Sequence, residues 1–97
     1  MTALKEFLRL LPDDEARDDF AKRCGTTAGH LRNVSYGQRP AAAALCASVE
    51  RESLGAVPCE VLREDLAWRR IPDRAWKWHP NGRPVLDVAH AGSFGRG

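Results

Sequence analysis

Arg32 and Asn33 stand side by side in CGTTAGHLRNVSYGQRP, residues 24–40. Both side chains are planar and can form hydrogen bonds in pairs. A guanidinium can donate twice to guanine, and a carboxamide can both donate to and accept from adenine. On a helical wheel Leu31 and Val34 face inward, which leaves Gly29, Arg32, Asn33 and Tyr36 on the opposite, outward face. A helix that enters the major groove, about 12 Å wide, needs a slim N-terminal end. Ala28 and Gly29 supply one, and the helix N-terminus itself favours phosphate. Gly29 costs the helix about 1 kcal/mol relative to Ala, so packing must hold it. Thr27 is the expected N-cap, and His30 lies to the side of the outward face. Tyr36, Gln38 and Arg39, where the chain leaves the helix, suit phosphate contacts, with Lys22 and Ser35 as further candidates. Against this, Gly29 could simply mark a poor helix and Arg32 and Asn33 an ordinary solvated surface. Taken together, the residues favour groove reading.

Charge is distributed in the same sense. Five of the seven residues at 13–19 are acidic, whereas residues 20–49 hold no Asp or Glu and include Lys22, Arg23, Arg32 and Arg39. From Ala67 onward six basic residues face two acids. A surface that approaches phosphates needs such an absence of carboxylates.

Five helices are expected to position these residues. Residues 2–11 carry Leu4, Phe7, Leu8 and Leu11 at helical spacing, and Pro12 ends the run. A second helix starts near Asp13, with acids in its first turn, aligns Ala16, Phe20 and Cys24, and closes at Gly25. The third spans 27–36 and stops at Gly37. The fourth spans 40–53, with Ala42, Leu45, Cys46 and Val49 inward and Gly55 closing it. The fifth spans 58–66, with Val61 and Leu62 inward. Between the second and third helices the turn is too short for a side-by-side hairpin and contains Gly25, as a helix-turn-helix requires. Ala21 falls at the expected crossing, and Phe20, Cys24, Leu31 and Val34 fill the space between the pair and the core. After Leu66 the composition changes. The dipeptide Asn81-Gly82 predicts a tight turn between strands at 76–79 and 85–88. The glycine-rich residues 91–97 read as a disordered tail.

With 97 residues, 43% of them hydrophobic and 29% charged, the chain suits one soluble domain with a modest core. No run is apolar enough for a membrane span and the N-terminus lacks a signal-peptide pattern, so a cytoplasmic location is expected. Three cysteines without a C-x-x-C pair suit reduced, buried thiols.

The segment FAKRCGTTAGHLRNVSYGQRPAAAALCASVERESLGAVPCEVLREDL resembles the Cro/YdaS group of prophage and bacterial DNA-binding proteins. The match rests on Phe20-Ala21, the Cys24-Gly25-Thr26 turn, the Gly37-x-Arg39 exit and the tail of the segment, within residues 2–66. It implies an all-α, lambda-repressor-like five-helix helix-turn-helix domain over 1–66. It also implies sequence-specific transcriptional regulation at a pseudo-palindromic operator in double-stranded DNA, and dimerisation. Residues 67–90 would form an extension with a short β-hairpin, in which Trp76, Trp78, Val85 and Leu86 could face a second copy or merely cover the helical core.

Other classes fit less well. No Ser or Cys stands near a His–Asp arrangement, so no enzyme is expected. Cys24, Cys46, Cys59, His30, His79 and His90 are spaced irregularly, so no metal or cofactor is expected. The rival from another class is an antitoxin-like or protein-interaction module that binds a protein partner through the tryptophan-containing segment.

Overall fold

The computed structural model describes residues 2–87. The tail expected at 91–97, His90, and the end of the second expected strand at Val88 lie outside the described residues. Five helices precede a two-stranded antiparallel sheet: α1 (Thr2–Leu10), α2 (Asp14–Arg23), α3 (Ala28–Ser35), α4 (Ala43–Glu52), α5 (Cys59–Leu62), β1 (Trp68–Ile71) and β2 (Arg83–Leu86). Among the described residues no helix is long and apolar enough to cross a membrane.

The apolar stripe of α1 buries Leu4 and sets Phe7 against Phe20 of α2, ring centroids 4.8 Å apart. Arg17 fixes the corner after α1: its guanidinium donates to the carbonyls of Leu8 at 2.9 Å and Leu11 at 3.1 Å. The Leu8 carbonyl also accepts from the Leu11 N–H at 3.3 Å, so Arg17 adds a side-chain donor to the carbonyls at the helix end. Asp13 caps α2, its carboxylate accepting from the Ala16 N–H at 2.8 Å. Phe20, Ala21, Leu31, Val34, Cys46, Val49, Val57, Cys59 and Leu62 complete the centre of the core.

Three expectations are corrected. The fourth helix begins at Ala43 rather than at 40, because residues 40–42 stay outside helical structure, Ala42 being extended: Ala41 is buried, and its carbonyl accepts from Arg63 at 2.8 Å. Ala42 is consequently an exposed N-cap and not an inward residue. The helix closes through Leu54 (φ 56°), whose N–H donates to Arg51 O while Gly55 N–H donates to Glu50 O. Leu54, not Gly55, therefore takes the first left-handed position.

The fifth helix is a single turn, Cys59–Leu62, rather than 58–66. Arg63 leaves helical geometry at φ −140°, ψ 75°. Its guanidinium is held by Ala41 O and Asp65, and its own carbonyl accepts the Trp68 indole N–H at 2.8 Å. Cys59 and Leu62 point inward, while Val61 is exposed.

The hairpin uses a different first strand. β2 pairs with β1 in the register Trp68↔Leu86, Arg69↔Val85, Arg70↔Pro84, Ile71↔Arg83, not with residues 76–79. A turn forms here, but over His79–Gly82 with Pro80 and Asn81 at its centre, Gly82 N–H donating to His79 O at 3.2 Å, and it belongs to the long connection 72–82 instead of a tight hairpin. Gly82 (φ 106°) lies so close to the Ile71 carbonyl that a Cβ would clash. Residues 76–79 are drawn away from strand pairing by Trp76, whose indole N–H donates to Glu50 at 2.7 Å.

Candidate nucleic-acid interface

Four residues separate α2 from α3, and local hydrogen bonds define the path. Gly25 (φ 80°) is the left-handed exit of α2: its N–H donates to Lys22 O at 3.0 Å, and Thr26 N–H reaches back to Ala21 O at 2.9 Å. This pair of bonds is a Schellman motif, which ends a helix abruptly and redirects the chain. Thr27 then caps α3, its Oγ1 accepting from His30 N–H at 3.1 Å. A second Schellman motif closes α3 through Gly37 (φ 78°), with Gly37 N–H donating to Val34 O and Gln38 N–H to Asn33 O at 2.9 Å. Ala21 is fully buried where α2 meets α3, and Phe20, Leu31 and Val34 lie around it in the core.

The outer side of α3 carries Gly29, Arg32, Asn33 and Tyr36 at i, i+3, i+4 and i+7, all exposed. Among the described residues the side chains of Arg32 and Asn33 make no hydrogen bond or ion pair, which leaves their paired donors and acceptors open to a ligand. Gln38 and Arg39 are exposed at the exit. The other candidates sit elsewhere. The Thr27 hydroxyl is engaged in the cap. Ala28 is half-buried against α1. His30 is half-buried and turns toward α4, in a shallow depression shared with Thr26, Leu45 and Ser48. Ser35 is removed from the surface: it is buried, and its hydroxyl donates to Arg32 O at 2.7 Å. Lys22 is exposed on α2.

Three acids of α1 and α2 are held in ion pairs. Glu6 pairs with Arg9, Asp14 with Arg17, and Asp19 with Arg23, which also reaches Glu52 on α4 at 3.0 Å. Among the described residues Lys5, Lys22, Arg32 and Arg39 form no salt bridge, so α3 and its exit carry two cations, Arg32 and Arg39, that no carboxylate pairs.

The sequence reading missed a second polar constellation, which fastens the sheet to the helices. Arg70, on β1, directs all five guanidinium N–H groups to acceptors. Glu50 receives two at 2.6 and 2.7 Å, Glu60 receives two at 2.6 and 3.0 Å, and the Gly82 carbonyl receives one at 3.0 Å. Glu50 is fully buried in α4 and also accepts from Trp76 and from the Cys59 N–H at 3.0 Å, so it caps α5 in place of Pro58, which offers no side-chain cap. Burial alone would raise the Glu50 pKa, but the bonds from Arg70, Cys59 and Trp76 outweigh it and hold the carboxyl below its ordinary value. Its position carried a usable signal: Glu50 follows Cys46 by four residues and so falls within the apolar stripe of α4.

Trp76 and Trp78 meet edge to face, centroids 4.8 Å apart, and both are half-buried, as are Val85 and Leu86. The three cysteines are buried free thiols. Burial raises Cys24 and Cys46 to about 11 and Cys59 further, which keeps the reactive thiolate scarce. No group of three or more His, Cys, Asp or Glu is arranged to hold a metal ion among the described residues. The chain matches no protein-family model, no curated protein and no solved structure.

Proposed function

We propose that this protein is a sequence-specific DNA-binding transcriptional regulator of Cro type, built on a lambda-repressor-like helix-turn-helix. α3 lies in the major groove, Arg32 and Asn33 read base edges, and Tyr36, Gln38 and Arg39 contact phosphates near the exit of the helix. The observation that carries this reading is the exposed row Gly29, Arg32, Asn33, Tyr36, whose Arg and Asn groups have no hydrogen-bond or ion-pair partner among the described residues, on a helix introduced by a capped, glycine-containing turn. Two copies bind a pseudo-palindromic operator, with half-sites about one turn, roughly 34 Å, apart. Trp76, Trp78, Val85 and Leu86 are the candidate dimer surface. The protein acts in the cytoplasm and is not an enzyme. A partner-binding module based on the tryptophan segment draws less support, because it gives no role to the open Arg32 and Asn33 groups on the exposed side of α3.

Titration of duplex DNA separates base reading from phosphate contact. Arg32→Ala and Asn33→Ala each weaken binding to a selected operator by about 1–3 kcal/mol and change binding to random DNA little. Arg39→Ala weakens binding to all sequences alike and flattens the salt dependence. Unchanged operator affinity in both the Arg32 and Asn33 variants would contradict the proposal.

A further inference from the structure

A depression of about 420 Å³ separates α1 from α3, and its walls include Lys5, Arg9, Arg17, Arg32 and Tyr36. Two of its four cations are neutralised locally: Arg9 by Glu6 at 2.8 Å and Arg17 by Asp14 at 3.1 Å, with Arg17 also bound to the Leu8 and Leu11 carbonyls. Both acids that line the depression are therefore engaged, whereas Lys5 and Arg32 have no carboxylate partner among the described residues. Lys5 instead holds its ammonium 4.4 Å from the centroid of the Tyr36 ring. A cation over an aromatic face is attracted to it yet keeps its outer N–H donors free. The ring thus restrains a long, flexible side chain beside the reading helix without cancelling its charge.

We propose that Lys5 extends the DNA-binding face from α3 onto α1 and contacts a backbone phosphate at the edge of the groove that α3 occupies. This inference rests on the DNA-binding reading above. Tyr36 acts partly through Lys5: it positions the ammonium while Arg32, on the same depression, reaches inward to the bases. The ligand is a phosphodiester shared by all sequences, so Lys5 adds affinity and not sequence preference.

The test is a salt titration of the intact protein and its variants with the selected operator and with a random duplex. Lys5→Ala should weaken both complexes about fivefold or more at ~0.15 M salt and make the slope of log K against log salt shallower by about 0.9 per bound copy, so by about 1.8 for the two-copy operator complex, as expected for one lost phosphate contact in each copy. Lys77→Ala removes the same charge from an exposed position in the segment between β1 and β2 and should leave the slope unchanged. The ring contact has its own signature. Lys5→Ala should have its full effect in a Tyr36→Phe background, which keeps the ring, and a smaller one in Tyr36→Leu, which removes it. An unchanged slope in Lys5→Ala, or an equal change in Lys77→Ala, would overturn the inference while leaving the DNA-binding reading intact. If the parent protein binds neither duplex, the DNA-binding reading falls and takes this inference with it.

Discussion

At Gly29 the fold asks for nothing that only glycine supplies. A Cβ built there meets no atom within 4 Å, and the residue sits inside α3 without a left-handed backbone, unlike Gly25 at φ 80° and Gly37 at φ 78°. Gly29 is the second residue of α3, where glycine costs up to about 0.5 kcal/mol relative to alanine, at the low end of the helix-interior range, and its missing side chain leaves the outer side of the first turn open to a close approach. Gly29→Ala should therefore stabilise the free protein slightly, by up to about 0.5 kcal/mol in chemical denaturation. Gly29→Leu should leave the protein folded but abolish operator binding, because the added side chain fills the space the groove wall would occupy. Full binding by the Gly29→Leu variant would remove the steric part of the argument. Arg32 and Asn33 were legible from residue type and spacing alone, since outward position on a short helix follows from the inward position of Leu31 and Val34. The restraint on Lys5 was not, because it depends on α1 lying against α3.

The helices and turns were most legible where the signal is local. Thr27 caps α3 as expected, and Asp13, close to the expected start of the second helix, proves to be its cap; both signals are local, since a cap involves residues only three positions apart. The sheet was misread for the opposite reason. Its first strand is fixed by Trp68 bonding to Arg63 and by Arg70 bonding to Glu50, contacts across 5 and 20 positions that no turn dipeptide encodes. A buried ion pair is weak evidence of net stability, but breaking one partner leaves a charge without compensation. Arg70→Met should thus destabilise the protein by about 3–5 kcal/mol. The Glu50 carboxyl is held below its ordinary value of 4.5, so the ionised network contributes in full above about that pH and is lost as the pH falls through the depressed native value. Stability measured by denaturant titration should drop as pH is lowered below 4.5, and Glu50→Gln should make that decline shallower. An acid limb of identical slope in the variant would show that Glu50 does not control it.

In the whole molecule, the two polar features have opposite relations to solvent. The cluster of Glu50, Glu60 and Arg70 is directed inward and satisfied, and it ties α4, α5 and the sheet into one structure. The α3 face is directed outward and unsatisfied, in a stretch of thirty residues, 20–49, that contains no acid. Among the described residues no buried side-chain N or O lacks a partner, so the open groups of the α3 face stand out against a satisfied interior, and this contrast supports the proposed DNA-binding role. The helical class and the presence of a small C-terminal sheet could be read from periodicity and turn residues; the sheet's attachment could not, because it depends on residues far apart in sequence. The most direct test of the central claim is selection of the parent protein against a random duplex library at ~0.15 M salt, followed by titration of the recovered sequence. The account predicts recovery of a two-fold symmetric site with half-site centres about one helical turn apart. No enrichment, or only salt-sensitive binding to every sequence alike, would contradict it.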